Sequence, residues 1–585
     1  MFHIPVMGTG FTIDTAIRVA RYGISSVMSL VDDVLVEQLR KYHCQDRGLP
    51  YAEICENDED SRANRITAYL NLINDEVNNQ IDKIRSSPFV QGSEITRYYE
   101  MLPDSPLRQS YLDMLATDDQ AARANQQETL RSQVVPGSID VNIMTKLDRD
   151  LYRNGEKLPK EAADAMAALR GYANSSVESS IVFSAGMNQR LYSYLAEFKD
   201  FLPDESGYFR KKITLKVSDF RSALIQGKFL AKRGLWVSEY RVESGLNCGG
   251  HAFGLNGNLL GPILEEFNRN SGEFASVLQD LYARALTKRG LTPIAEPHPI
   301  RITVQGGVGT AEEHNYLLDK YPVDSIGWGT PFLLVPEVVR VDDVHLNKLV
   351  AAGEEDVHLS DRSPLGIPFW SLRSSASEEA RMRRITKGKP GSACPKGFLV
   401  LDTEFTKVPI CRASRTFQRR KLKQIDSSTL SADQQVIERE SVITKACICH
   451  ELGGAATVTL GIDPEIDTAV CCGPNIINFS KVATLEEMVG HIYGRTSLMT
   501  NPDRPHMFIA ELKLCIDDFR AELQKVSDEL MDKSAKHFQE FRKNLVDGIE
   551  YYRSLAEQIS ADQQERFLED LDSLFAEIES IFAGC

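Results

Sequence analysis

Apolar and β-branched residues fall into short runs that end in glycine or a polar turn. Over roughly the first 340 residues these runs alternate with stretches of helical period. The pattern predicts strands in the stretches 2–11, 23–30, 138–144, 180–186, 212–218, 235–243, 299–310 and 323–330, with helices at 14–22, 160–170, 189–201 and 219–233 among them. Eight strands separated by helices is what a closed parallel (β/α)8 TIM barrel requires, which places the chain in the α/β class. Residues 32–136 break the rhythm. They are polar and helical, as in Ala63-Asn-Arg-Ile-Thr-Ala-Tyr-Leu-Asn-Leu-Ile, and are far too long for a βα connection, so they read as an insertion that caps or flanks the barrel.

The last two runs carry the first hint of chemistry. Arg301-Ile-Thr-Val-Gln-Gly-Gly-Val-Gly-Thr310 and Val323-Asp-Ser-Ile-Gly-Trp-Gly-Thr330 each read as strand, glycine turn and helix start. In a barrel of this kind the turns after the seventh and eighth strands commonly cradle a phosphate on bare backbone N–H groups. The plainer alternative is a pair of tight βα turns.

Composition narrows the class. The chain has 585 residues, 42% hydrophobic and 26% charged, with a formal net charge of −16. That balance fits a large globular protein and speaks against coating nucleic acid, which needs a positive surface. No apolar run is long enough to span a bilayer, so no membrane partner is expected. The start, Met1-Phe-His-Ile-Pro-Val-Met-Gly8, lacks the form of a secretory signal, so the expected address is cytoplasmic. In that compartment the eleven cysteines point to metal or redox chemistry rather than a disulfide framework.

Several strand ends taken together resemble the nitronate monooxygenase or 2-nitropropane dioxygenase-like flavoproteins, relatives of the FMN-dependent enoyl-ACP reductases. The matching pieces are Ile4-Pro-Val-Met-Gly8, Val141-Asn-Ile-Met144, Ser244-Gly-Leu-Asn-Cys-Gly-Gly-His251, Gly306-Gly-Val-Gly-Thr310 and Gly327-Trp-Gly-Thr330. The resemblance covers residues 1 to about 340, outside the insertion, and implies FMN at the C-terminal mouth of the barrel. Carried over by position, it implies cofactor contacts at Met7, Gly8, Asn142, Gly249, Gly250, Gly306, Gly307, Gly329 and Thr330, with a weaker match at Lys216. It also puts His251 where the family has its functional histidine. An imidazole with an ordinary pKa of about 6.5 can move a proton near neutral pH. The alternative is a histidine that only hydrogen-bonds the loop or the flavin. Leu246-Asn-Cys248 replaces a shorter Glu-Ala of the family, which implies a different substrate pocket.

Three regions follow: a barrel over 1–345, a cysteine-rich region over 346–500, and a helical region over 501–585 that reads as a cap or a homodimer element. Six cysteines lie between 394 and 472, in four groups, three of them beside proline or glycine. Cys394, Cys411, Cys447 and Cys471 make the expected ligand set, with Cys449 and Cys472 as substitutes. Four thiolates suit a [4Fe–4S] cluster, with a structural Zn2+ or simply buried, unligated cysteines as the alternatives, and a neighbouring flavin gives a one-electron relay a use. A basic run from Arg381 to Lys423 reads as a solvated face, or as a dock for an acyl carrier protein or an acidic ferredoxin.

These readings predict an FMN-dependent oxidoreductase acting on an activated C–C or C–N centre of a small or acyl-carrier substrate, fed by ferredoxin or NAD(P)H. The alternatives are a nitronate monooxygenase-like enzyme with structural zinc and a non-catalytic carrier-binding scaffold.

Overall fold

In the computed structural model, residues 1–153, 156–184, 186–252, 256–293, 296–527, 533–559 and 561–583 are described. The eight predicted runs form a closed barrel. Its strands are β1 (Phe2–Ile4), β2 (Ser25–Ser29), β3 (Ile139–Ile143), β4 (Ser180–Phe183), β5 (Lys212–Val217), β6 (Val237–Glu243), β7 (Arg301–Gln305) and β8 (Ser325–Gly327). Each pairs in parallel with its neighbours, and β1 closes the ring on β8 through the Phe2–Ile326 and His3–Gly327 registers. The fold is thus a (β/α)8 barrel. Its strands are buried on both faces, because helices cover the outside. Among the described residues, no helix is long and apolar enough to cross a membrane.

The barrel interior is polar. Along β6 the side chains at 239, 241 and 243 point inward with the strand's period of two. Arg241 donates to Glu239 at 2.6 and 2.8 Å, and Thr303 Oγ1 donates to the same carboxylate at 2.6 Å. One layer nearer the mouth, Glu243 accepts from Gln305 Nε2 at 2.6 Å and pairs with Lys216 Nζ at 3.1 Å. Buried charges survive here because each finds a partner.

Five helices, from Asp33–Asp46 to Gln120–Gln133, lie between β2 and β3. The long one, Ser61–Ser86, lies against the helix Asp164–Ala173 that follows β3, and its Tyr69 hydroxyl donates to Ile13 O. The insertion flanks the barrel in this way. Beyond the barrel, Val357–Ser360 and Phe369–Leu372 form an antiparallel pair, and Gly250–His251 adds a third strand by pairing with Phe369 and Trp370. The sequence reading has no strand at these positions.

The C-terminal helices reach back to the rim. Glu511, in the helix Met507–Ser527, accepts from Ser244 Oγ at 2.7 Å, Gly245 N at 3.0 Å and Leu260 N at 2.8 Å. Beside it, Arg504 Nη2 donates to Gly307 O at 2.7 Å, and Arg504 pairs with Glu313 at 2.6 Å. Glu313 in turn accepts from Gly309 N and Met507 N. Although burial pulls the other way, Arg504 holds the Glu313 carboxyl below its usual range. Removing one member of such a pair leaves an uncompensated buried charge. Arg504→Met is therefore expected to cost about 3–5 kcal/mol, measured as a fall in the urea midpoint. An unchanged midpoint would show that the rim does not need this clamp.

Candidate active site

One cavity opens at the C-terminal ends of the barrel strands, where this fold places its chemistry. Gly8 after β1, Asn142 in β3, Lys216 in β5 and the loop Gly249, Gly250 and His251 after β6 all line it. Six of the eleven residues expected at a flavin site, drawn from four strand ends, thus meet in one place. Lys146, Ser184, Glu243, Phe369, Cys449 and Cys471 complete much of the wall.

The remaining five predicted positions lie elsewhere. Met7 is buried, and its backbone N–H donates to Thr12 Oγ1 at 3.2 Å. Gly306, Gly307, Gly329 and Thr330 do not line the cavity. Gly306 sits at φ +99° with Asn247 so close that an added Cβ would lie 2.9 Å from its backbone nitrogen; a left-handed conformation and that proximity both demand glycine. Gly307 lies against Leu246, and Gly329 against Cys248. Thr330 Oγ1 donates to Cys248 O and accepts from Gly473 N at 3.1 Å, while Asn475 Nδ2 donates to Val308 O at 2.9 Å. The segment from Cys471 to Asn475 thus covers the turns where a phosphate was expected, and a backbone N–H of the chain itself takes the Thr330 hydroxyl.

His251 is held by its backbone in the three-stranded sheet and by its ring. Nε2 lies 2.6 Å from Ser363 Oγ, and the ring meets Phe369 edge-on. Burial, with Lys146 and Lys216 nearby, pushes its pKa down to about 4. The ring is therefore uncharged at neutral pH. It suits hydrogen bonding to a ligand better than the general-base role, which favours a pKa near the working pH. Asn142 is 6% exposed, and its Oδ1 has no hydrogen-bond partner among the described residues. A buried unpartnered amide oxygen is costly unless a ligand satisfies it. Lys146 has its pKa lowered by burial and forms no ion pair among the described residues, so the wall carries a cation for an anionic ligand group.

The predicted metal set is divided by the fold. Cys471 stands at the mouth, where its Sγ lies 3.3 Å from the Cβ position of Gly8 and its backbone lies against Gly249. Cys472 follows it beneath the same loop. The segments of Cys394 and Cys411 run side by side through the Ser392–Ser414 bridge, and Cys411, Cys447 and Cys449 are buried. Among the described residues no group of three or more His, Cys, Asp or Glu is arranged to hold a metal ion, so neither the expected [4Fe–4S] cluster on Cys394, Cys411, Cys447 and Cys471 nor the Zn2+ alternative is supported. Part of the basic run is paired within its own region: Arg381 with Glu378, Arg384 with Glu451 and Asp467, Arg412 with Asp402, and Lys421 with Glu404.

The sequence reading missed Glu243, Lys146, Ser363 and Glu511. Glu243 had a signal, since charges at 239, 241 and 243 alternate along a barrel strand. Glu511 had none, because its partners on the rim lie more than 250 residues away.

No protein-family model and no curated protein matches the chain. Among solved structures it is similar to FabK from Thermotoga maritima, at 13% identity and TM-score 0.30, over 70% of this chain and 86% of that one. It is also similar to the enoyl reductase domain of MlnA from the macrolactin biosynthesis cluster of Bacillus amyloliquefaciens, at 14% identity and TM-score 0.31, over 73% and 89%. Overlaps this loose bear neither on the fold, which the closed barrel itself establishes, nor on the chemistry.

Burial also pushes the Cys248 and Cys471 thiols up to about 12, far above an ordinary thiol near 8.5. In reduced protein at pH 8, Ellman's reagent is expected to modify the exposed Cys55 quickly and to leave Cys248 and Cys471 intact until denaturant is added. Mapping by mass spectrometry checks this. Labelling of Cys471 at the rate of Cys55 would mean that the segment over the glycine turns opens freely.

Proposed function

We propose that the chain is a flavin-dependent oxidoreductase whose redox ring occupies the mouth cavity. The observation that carries this reading is the convergence there of Gly8, Lys216, Gly249, Gly250 and His251 around the unpartnered Oδ1 of Asn142. When bound, FMN supplies hydride and single-electron transfer. The unpartnered Asn142 Oδ1 would accept a hydrogen bond from a donor on the bound flavin. Lys216, fixed by Glu243, would offer its ammonium to the bound group, and His251, oriented by Ser363, would hydrogen-bond the substrate. Leu365, Ile367 and Phe369 make the apolar part of the wall and keep water from the reacting centre.

The fit is good at the ring and poor at the phosphate. A phosphate at the β7 and β8 turns requires the Cys471–Asn475 segment to leave Thr330 and Val308. Lys146 offers the cavity's own cation for an anionic group of flavin or substrate. The substrate class is a small or acyl-carrier-borne molecule with an activated C–C or C–N centre, and the donor class is NAD(P)H or a reduced ferredoxin. A second reading, a carrier-binding scaffold without a cofactor, is favoured by the covered turns alone.

Flavin binding separates the two. Titrating the protein with FMN is expected to quench the flavin fluorescence. Asn142→Leu is expected to weaken binding about tenfold, the worth of one hydrogen bond to a buried group at about 1–1.5 kcal/mol. Folded protein that neither carries nor takes up flavin would remove the oxidoreductase reading and leave the scaffold.

A further inference from the structure

A second cavity, of about 480 Å3, lies between the barrel and its insertion and shares no wall residue with the mouth. Five arginines line it, brought from three parts of the chain. Arg18 and Arg21 follow β1, Arg47 and Arg97 belong to the insertion, and Arg340 follows β8. Arg340 N donates to Phe11 O at 3.0 Å and Thr15 Oγ1 to Val338 O at 2.8 Å, which fixes the segment after β8 against the one after β1. Asp14 is the anchor of the group. Its carboxylate, 1% exposed, accepts from Arg340 Nη2 at 2.7 Å and Nε at 3.0 Å, and lies 3.4 Å from both Arg18 Nε and His43 Nε2.

The chain leaves these donors incompletely used. Two guanidiniums share the one buried carboxylate, so positive charge remains at the inner end of the cavity. Burial pulls the Arg18 pKa below its ordinary value, Asp14 opposes this, and Arg340 adds to it. Of the other nearby carboxylates, Asp46, Glu337 and Glu486 are exposed and Glu76 and Glu94 half-buried, and ion pairs open to water are weak enough for an incoming anion to compete with. Arg21 makes no hydrogen bond among the described residues, and its carboxylate partner, Glu94, stands 3.7 Å away. Arg18 Nη2, Arg47 Nη2, Arg97 Nη2 and Arg340 Nη1 likewise have no acceptor among the described residues, and none of these four nitrogens is sealed from solvent. His43, 3% exposed, adds a buried donor. An arginine can only donate, so Arg47 Nη1 at 2.9 Å makes His43 Nδ1 the acceptor and leaves the ring hydrogen on Nε2, which has no hydrogen-bond partner among the described residues.

We infer that this cavity is a second ligand site, separate from the mouth, that binds a small hydroxyl-bearing phosphate ester. Planar guanidiniums take phosphate oxygens two at a time, and a dianion engages more of the five than a carboxylate does. A volume of several hundred Å3 is that of a small-molecule site. Gln80, also in the wall, spends its Nε2 on Glu76 at 3.2 Å and has an Oε1 without a partner among the described residues. That oxygen calls for a donor on the ligand, which a hydroxyl supplies and a bare phosphate supplies poorly. The inference stands on the arginines and does not require the flavin.

Calorimetric titration of the full chain with ribose 5-phosphate at low ionic strength tests the site. Saturable binding is expected, weakened at least about tenfold in Arg21→Gln, the worth of one hydrogen bond to a charged group. Inorganic phosphate is expected to bind the same site more weakly than the ester, and ribose not to bind. Lys146→Met, in the mouth, is expected to leave the affinity for the ester unchanged. Phenylglyoxal, which modifies arginine, gives a readout that needs no variant: Arg21 is expected to be labelled in the free protein and protected by the ester, as mapped by mass spectrometry. No saturable binding of the ester, equal affinity in Arg21→Gln and wild type, or an Arg21 labelled as fast with the ester as without it would each overturn the site. Loss of binding in Lys146→Met would overturn it too, by placing the phosphate in the mouth, and inorganic phosphate binding as tightly as the ester would remove the hydroxyl-bearing class.

Discussion

Three glycine-rich turns at one rim of the barrel cannot hold themselves. Their glycines have no side chains to pack, and the left-handed ones gain nothing from the strands that lead into them. The structure depends on how that deficit is met. Glu511 gathers Ser244, Gly245 and Leu260, the Arg504–Glu313 pair gathers Gly307 and Gly309, and Gly473 and Asn475 close over Thr330 and Val308. The last hundred or so residues are therefore part of the barrel's functional end, although they lie far from it in sequence. The C-terminal helices hold the barrel rim through Glu511.

The polar interior of the barrel adds a second constraint. Glu239 and Arg241 neutralise each other in one layer, and Glu243 is shared by Lys216 and Gln305 in the next. The upper layer ends in the cavity, so the ammonium of Lys216 is positioned from below by a carboxylate that is 2% exposed. The charge at the mouth is thus set by the barrel core, and the loops above shape only what reaches it.

The barrel was legible because strand, turn and helix are local, and each leaves its own period in the sequence. Asn142 and the Gly249–His251 loop were legible because they fall where such strands end. The glycines at 306, 307 and 329 were read as a cradle, and their need for close approach was right. What approaches them, however, is Leu246 to Cys248 and the segment after Cys471, and no local pattern encodes that. The cysteines show the same limit. Spacing supplied six thiols but not their placement: Ser392 and Ser414 bridge the Cys394 and Cys411 segments, while Cys471 and Cys472 lie against the Gly249 loop.

The carboxylate of Glu511 joins the His251 loop to a helix of the C-terminal region, and that linkage works in both directions. Any molecule that orders the loop on entering the mouth also raises the free energy needed to peel the terminal helices away. Damage to those helices lowers affinity at a site they never touch. The barrel rim and the terminal helices therefore behave thermodynamically as one body, and occupancy of the cavity is readable from backbone amide exchange at Leu512 and Cys515, whose own surroundings contain no ligand.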